Sequence, residues 1–297
     1  MTVVDKKALR HATYRKPIPR SYLVVFFSLV LFFVTFSYAL FGFYLEHWYA
    51  GPARIAARVL PLPAALIEGE VLWYEDISEF ANVFEVSGKD VGTDITDPFQ
   101  SGLERASRNI HLEHFATKLG IEVTKAELEN YEIVDESFEL FLESVGWNEK
   151  RYRSYVVRSL LLAQKLEAEV LSNAEYQTKV YAEMENVLQD IELGLSFDDV
   201  AIQSSEDVSA EIGGYSGFFT KEDLPEGLQS AFSLDLYEVS DILETEEAFY
   251  VVRPYEIVGF GEDRLQIALQ IIVRNKQLLA PALDAFIETQ SEWYFIR

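Results

Sequence analysis

The feature that most constrains this chain is a run without any charged residue from Ser21 to Leu45. As a helix rising ~1.5 Å per residue, this run is longer than the ~30 Å hydrocarbon core of a bilayer. Residues 1–20 hold six basic residues and a single acidic one, Asp5. Because basic flanks stay in the cytoplasm, we predict a cytoplasmic tail over 1–20 and a transmembrane signal anchor over 21–45.

Two other interpretations of this run fit the sequence less well. A core helix apolar on every side would be unusual at this length. A cleaved signal peptide has a shorter apolar region, followed directly by a site of small residues, and no clear site of that kind follows Leu45. We therefore predict an uncleaved, single-pass anchor in the cytoplasmic (inner) membrane, with everything after residue 45 extracytoplasmic.

Composition excludes several classes of function. The formal net charge is -24, and nucleic acid requires a basic binding surface, so we expect no nucleic-acid partner. The chain contains no cysteine, which excludes disulfides, thiolate metal sites and a cysteine nucleophile. The four histidines are His11, His47, His111 and His114. Only the last two have helical spacing for a metal pair, and without matching ligands we interpret them as ordinary helix residues and predict no metal and no cofactor.

Helical patterns occupy most of the first half of the chain. After a juxtamembrane connector (46–63) and a polar loop at 85–98, apolar residues recur at helical spacing from Phe99 to Leu119. A capping box at Thr124 and Glu127 begins a helix predicted to reach Val145, and Asn148 can cap a third, long helix. A further amphipathic helix runs from Tyr176 to Ile191.

The stretch from Gly194 to Pro254 has a different pattern, with short elements in close succession. Its periodicity predicts a helix at Phe197–Ile202 and another at Leu228–Phe232. Two strand-like runs follow, Glu238–Leu243 and Ala248–Val252. Short capped helices that lead into an antiparallel hairpin indicate a compact α+β module.

Five short motifs in this stretch resemble, in order, the parvulin-type (PpiC/rotamase) peptidyl-prolyl isomerase domain. They are Gly194-x-Ser196-Phe197, Ser205-x-Asp207-x-Ser209-Ala210, Gly213-Gly214-x-x-Gly217-Phe218-Phe219, Leu224-Pro225-x-x-Leu228 and Glu238-Val239-Ser240. The resemblance covers about a fifth of the chain, and the ordered series is more specific than any single motif.

The first half resembles the N-terminal domain of SurA/PpiD-type chaperones. The resemblance rests on the opening at Pro63–Tyr74, with Glu68 where asparagine is usual, and on the order of the three helices. The predicted fold class is α+β. It comprises one transmembrane helix, a mostly helical SurA-N-like domain (64–173), a parvulin-like domain with an antiparallel sheet (174–273), and a C-terminal helix and strand (274–297).

One strand of the parvulin pattern is missing from its usual place. The family begins with a strand that carries a histidine, and no such strand precedes Tyr176. The run Ala268–Val273 resembles that strand, moved to the C-terminal side and with Gln270 at the histidine position. We predict that it completes the sheet, as in a circular permutant, and that Gln270 then lies beside Tyr250.

The resemblance also implies a set of site residues. Asp207, Tyr250 and Gln270 fall at catalytic positions, the last two where the family has histidines; Asp207 is equally well explained as a turn cap. Leu224, Leu228, Phe232 and Phe218 fall at substrate-binding positions. Prolyl isomerisation needs no nucleophile, because its barrier of ~18–20 kcal/mol comes from the double-bond character of the amide.

Three functions remain open at this point. The first is a membrane-tethered extracytoplasmic chaperone that binds unfolded or nascent exported polypeptides with weak or no isomerase activity. The second is an active peptidyl-prolyl cis-trans isomerase, and the third is an envelope scaffold protein. The absence of histidines from the parvulin-like stretch favours the first over the second.

Overall fold

The computed structural model describes residues 20–91, 95–134, 137–259 and 265–296. These residues divide into two compact units. Unit 1 comprises residues 1–106 and 292–297, and unit 2 comprises residues 107–291. Most of the predicted basic tail lies outside the described residues.

Unit 1 begins with the apolar helix α1 (Arg20–Tyr44), in which the segment Val24–Tyr44 is long and apolar enough to cross a membrane. Within its apolar 18-residue window no residue is buried in the protein, whereas Phe43, near the C-terminal end of the helix, is only 4% exposed. Two helices follow, α2 (Pro52–Val59) and α3 (Tyr74–Val91). The polar loop predicted at 85–98 is therefore wrong over its first part, because α3 continues to Val91.

A small sheet in unit 1 contains β1 (Pro63–Ile67), β2 (Glu70–Trp73) and the C-terminal strand β7 (Glu292–Tyr294), in the order β2-β1-β7. The pairing of Ile67 with Glu70 leaves a two-residue turn at Glu68 and Gly69. Both turn residues have positive φ, 47° and 85°. This is the backbone of a tight hairpin turn, which favours asparagine or glycine at both positions.

Unit 2 begins within α4 (Pro98–Lys118) and continues through helices that fill most of its first half. These are α5 (Lys125–Asn130), α6 (Phe138–Val145), α7 (Glu149–Tyr152), α8 (Arg158–Ser172) and α9 (Ala174–Glu192). A single π-helical turn, Arg153–Val157, joins α7 to α8, and Asn148 caps α7 as predicted.

The helix predicted from Thr124 to Val145 is wrong in its middle. The capping box between Thr124 and Glu127 is present, but α5 ends at Asn130, and Val134 is 84% exposed. The guanidinium of Arg153 donates to the carbonyl oxygens of Leu128 and Tyr131, at 2.6 and 3.0 Å. These two carbonyls are therefore bonded to an arginine rather than to a continuing helix.

The last helix, α11 (Leu279–Ile287), joins the helical core of unit 2. Leu279, Ala282 and Leu283 are buried against α4 and α8, and Phe286 stacks on Phe115 with ring centroids 5.0 Å apart. The chain then ends in β7, which pairs with β1. The final residues thus contribute to the cores of both units.

The parvulin-like part of unit 2 contains a four-stranded antiparallel sheet in the order β3-β6-β5-β4. Its strands are β3 (Tyr215–Phe219), β4 (Leu243–Glu244), β5 (Ala248–Val258) and β6 (Gln266–Asn275). The strand predicted at Glu238–Leu243 is wrong except for its last residue. The strand predicted near Ala268 is confirmed, and it lies in the interior of the sheet, between β3 and β5.

The two faces of this sheet carry different layers. Helices α9 and α10 (Phe197–Ser204) pack on one face, where Phe249, Val251 and Ile272 are buried against them. A 3₁₀ helix, Glu226–Ser233, covers the other face. Because β5 and β6 are buried on both sides, neither strand shows the alternation of a half-exposed strand.

Candidate functional site

The candidate site lies on the face of the sheet covered by the 3₁₀ helix. Leu224 and Leu228 are buried there against Val252 of β5 and Leu269 of β6. Phe219, Phe232 and Tyr250 pack around this cluster and are partly buried. Leu224 and Leu228 are only 6% and 5% exposed, so they belong to the core and offer little surface to a ligand.

An open groove of about 1050 Å³ adjoins this face within unit 2. Its walls come from the end of α8, the start of the 3₁₀ helix, the β4–β5 turn and Tyr250. The lining residues are Ala168, Leu171, Ser172, Pro225, Glu226, Gly227, Glu244, Thr245, Glu246, Glu247, Tyr250 and Lys276. A Cβ atom at Gly227 would collide with the carbonyl oxygen of Glu244, so glycine is required for this close approach.

The charged residues of the groove are mostly acidic. Its lining includes Glu226, Glu244, Glu246 and Glu247, against one cation, Lys276. The Lys276 ammonium pairs with Glu244 at 2.6 Å, and its side chain is 4% exposed. This leaves three carboxylates around an apolar lining that includes Leu171 and Pro225, which suits an extended polypeptide with apolar and basic side chains.

The opposite face of the sheet holds a polar network centred on Gln270, which is fully buried, whereas the Asp198 side chain is 45% exposed. The Gln270 amide oxygen accepts hydrogen bonds from the Arg253 guanidinium, one of them at 2.9 Å from Nε. The Gln270 amide nitrogen donates to Asp198 Oδ1 at 2.7 Å and to the Gly213 carbonyl at 3.0 Å.

Arg253 completes this network. Its guanidinium donates to Asp198 Oδ1 at 3.2 Å and lies over the ring of Phe197, 4.7 Å from the centroid. Tyr215 donates to the other Asp198 oxygen at 3.4 Å, and burial together with that carboxylate raises the pKa of Tyr215. With its oxygen and both amide hydrogens engaged, Gln270 is a structural link between β6, β5 and α10.

Comparison with known protein families identifies the type of domain that contains this sheet. Residues 161–255 match the family model of the PPIC-type peptidyl-prolyl isomerase (rotamase) domain. The chain contains a parvulin-type domain. The match begins within α8 and ends within β5, so β6, one of the two interior strands of the sheet, lies outside the matched residues. No curated protein sequence matches the chain.

The structure separates the two positions of the parvulin domain that the resemblance assigns to histidines. Tyr250 pairs with Val273, whereas Gln270 pairs with Arg253. Side chains alternate between faces along a strand, so Tyr250 lies on the side of Leu228 and Gln270 on the side of α10. The prediction that these two residues lie side by side is therefore wrong: they occupy neighbouring strands but opposite faces.

The other predicted site residues also divide into two groups. Leu224, Leu228 and Phe232 come together with Tyr250 at the apolar cluster. Phe218 does not, because it is 47% exposed and alternates with Phe219, the residue of β3 that packs in the cluster. In addition, Asp207 caps the 3₁₀ helix Val208–Ile212, where its carboxylate accepts from the Ser209 N–H at 2.8 Å and from the Ser209 hydroxyl.

The groove and the polar network were not predicted from the sequence. An arginine inside the apolar run of β5 was the available signal for Arg253, since a charged residue in a buried strand requires a partner. The groove had no such signal, because its walls come from elements far apart in sequence. Among the described residues, no group of three or more histidine or acidic side chains could hold a metal ion.

Proposed function

We propose that this chain is a membrane-tethered extracytoplasmic chaperone of the parvulin type, which binds extended or unfolded polypeptides with weak or no prolyl isomerase activity. The parvulin-type domain at residues 161–255 supports membership of the peptidyl-prolyl isomerase and foldase class. The apolar run of α1 supports a tether in the cytoplasmic (inner) membrane. The basic residues that precede α1 support a cytoplasmic N-terminus.

One observation carries the proposal of holding without turnover. Tyr250 borders the groove, but Gln270 lies on the other face of the sheet and is fully engaged with Arg253, Asp198 and Gly213. The two positions therefore cannot act together on one prolyl bond. In addition, residues 115–297 contain no histidine.

The groove is the surface on which a client would bind. Its apolar lining can contact the side chains of an extended segment, and its carboxylates favour clients that carry lysine or arginine beside those apolar residues. Leu171 contributes from α8, and Pro225 and Gly227 contribute from the start of the 3₁₀ helix. Unfolded exported polypeptides, with apolar and basic residues exposed together, are partners of this chemistry.

An active isomerase is the second candidate, and the family match favours it. In that case the groove would lower the barrier by holding the prolyl amide in a water-poor environment beside Tyr250. Catalysis would then depend on the Tyr250 hydroxyl, because Asp207 caps a 3₁₀ helix and Gln270 is on the opposite face.

The holding function is tested with the full chain in lipid nanodiscs, by light scattering of an aggregating client and by the affinity for a fluorescent, basic, proline-containing peptide. Leu171→Asp places a charge in the apolar lining and should abolish both the suppression of client aggregation and the binding of the peptide. Leu193→Asp is the matched control, because Leu193 is 76% exposed and is not part of the groove. Unchanged holding by Leu171→Asp would exclude the groove as the client site.

A further inference from the structure

Helix α2, close after the membrane anchor, has its charged side turned inward and its apolar side turned outward. Arg54 and Arg58 both pair with Glu79 of α3, whose side chain is fully buried. The Arg58 guanidinium forms two hydrogen bonds with this carboxylate, at 2.6 and 3.1 Å. On the outward side, Ile55 and Val59 are 64% and 76% exposed.

This arrangement reverses that of an ordinary helix on a water-soluble protein, in which the apolar side faces the core. The ion pairs fix the reversal, because turning Ile55 and Val59 inward would pull Arg54 and Arg58 away from Glu79. A carboxylate buried without its partners is strongly unfavourable. The outward apolar side is therefore held in place and is not a loosely packed surface.

The same surface extends beyond α2. Val59 and Leu60 line a recess of about 230 Å³ together with Pro61 and Trp73, the last residue of β2. Leu60 is 43% exposed and Trp73 is 41% exposed. We refer to Ile55, Val59, Leu60 and Trp73 as the juxtamembrane patch.

Contacts within unit 1 place this patch at the end of the anchor. The hydroxyl of Tyr44, the last residue of α1, donates to the carbonyl oxygen of Pro63 at 3.0 Å. The preceding residue, Phe43, packs edge-to-face on Tyr74, with ring centroids 5.2 Å apart. Pro63 pairs with Trp73 in the hairpin, and Tyr74 directly follows Trp73. Both residues that contact the end of α1 are therefore direct neighbours of Trp73, one across the hairpin and one along the chain.

We propose that the juxtamembrane patch inserts into the interfacial region of the lipid bilayer and orients unit 1 on the membrane surface. The inference rests on the proposed function, because it requires α1 to span the membrane. Lipid is the occupant that fits best, since the patch continues from the end of a lipid-facing helix. Tryptophan also prefers the headgroup level, where its ring is apolar and its N–H can remain hydrated.

The test uses the full chain in vesicles of zwitterionic and anionic phospholipid, with an environment-sensitive fluorophore on a single introduced cysteine. The natural chain has no cysteine, so each label is unique. Val59→Cys reports on the patch, Phe33→Cys on the middle of α1, and Glu70→Cys on the hairpin turn at the far end of β2. All three residues are exposed, so labelling them should not disturb a core.

Lipids brominated at shallow or deep positions of the acyl chain then quench labels according to depth. We expect deep bromines to quench the label at 33, shallow bromines to quench the label at 59, and neither to quench the label at 70. A label at 59 quenched no more than the label at 70, with the label at 33 still quenched, would overturn the inference and leave the tether intact. If the label at 33 also escapes quenching, the tether itself is rejected and the inference fails with it.

Two further outcomes would assign the patch to another occupant and so overturn the inference. Efficient disulfide formation between two copies of unlabelled Val59→Cys in dilute vesicles would indicate a dimer contact. A label at 59 that escapes quenching by lipid but changes its emission on addition of an unfolded client would indicate a polypeptide-binding surface.

Discussion

Gln270 on β6 pairs directly with Arg253 on β5, and its amide oxygen accepts a hydrogen bond of 2.9 Å from Arg253 Nε. The pair lies on the face of the sheet that packs against α10, where Asp198 bonds to both side chains. A position that the family resemblance assigns to catalysis is thus part of a structural network. The domain therefore has a parvulin-type fold, but Gln270 does not have the catalytic placement that the resemblance implies.

Gln270→Leu should destabilise unit 2 by about 1–3 kcal/mol, because Arg253 and the Gly213 carbonyl each lose a buried partner. Urea unfolding of the full chain, followed by a spectroscopic probe in unit 2, measures the loss. Gln203→Leu makes the same replacement at an exposed position of α10 and should cost much less. Equal stability of the two variants would contradict the role assigned to the network.

Shortening the chain to residues 1–264 should unfold the sheet of unit 2. This truncation removes β6, and with it the only pairing partner that β3 has within the described sheet. It also removes α11 from the helical core. A chain that ends at residue 291 loses only β7 and the residues after it, and should keep the protease resistance of unit 2. Equal resistance of both truncated chains would show that β6 is dispensable.

The strand β6 could be predicted from sequence, but its register could not. The run that forms β6 has the length and apolar content of a buried strand, and the missing partner in the parvulin pattern indicated its place. Its side chains are buried on both faces, so no alternation shows which residues point toward which layer. A shift of one residue reverses every side chain, and this decides whether Gln270 faces the groove or α10.

The sequence does contain a feature that indicates the full extent of α3. Glu85 and Lys89 stand four residues apart, the spacing of a helical ion pair, and their side chains lie 2.7 Å apart in the structure. The break after α5 had no local signal, because Arg153 lies more than twenty residues away in sequence from the carbonyls that it binds. Tertiary contacts of this kind override helical periodicity.

Glu68→Asn should stabilise unit 1 by about 1 kcal/mol. Glu68 has φ of 47°, and asparagine occupies this left-handed region more readily than glutamate does. Thermal unfolding of the full chain in nanodiscs, followed by tryptophan fluorescence, measures the change, because three of the four tryptophans (Trp48, Trp73 and Trp293) lie in unit 1. The opposite variant in the same turn, Gly69→Ala, should destabilise because φ there is 85°. A fall in stability for Glu68→Asn would contradict the turn geometry.

Stability should depend on pH through Glu127. Its hydrogen bond with Lys165, together with those from Thr124, lowers the pKa of Glu127 from 4.5 to about 2. Because the pKa is lower in the folded chain, the stabilisation is complete above about 4.5 and is lost as the pH falls toward 2.

Glu127→Gln should therefore be less stable than the natural chain at pH 7, and the difference should shrink between pH 4.5 and about 2. Urea unfolding at several pH values measures this difference. Glu129→Gln, at an exposed acid of the same helix, should cost less at pH 7. A difference for Glu127→Gln that stays constant as the pH falls would contradict the role of this carboxylate.

The central claim is that the groove beside Tyr250 holds polypeptide without isomerising it. The most direct measurement is the cis/trans exchange rate of a basic, proline-containing peptide by NMR, at peptide concentrations where its binding to the full chain in nanodiscs is also detected. We predict that the peptide binds while its exchange rate stays at the spontaneous value. The double variant Tyr250→His, Gln270→His should remain inactive, because the two imidazoles would lie on opposite faces of the sheet. Strong acceleration by the natural chain that disappears in Tyr250→Phe would contradict the account and identify an active isomerase.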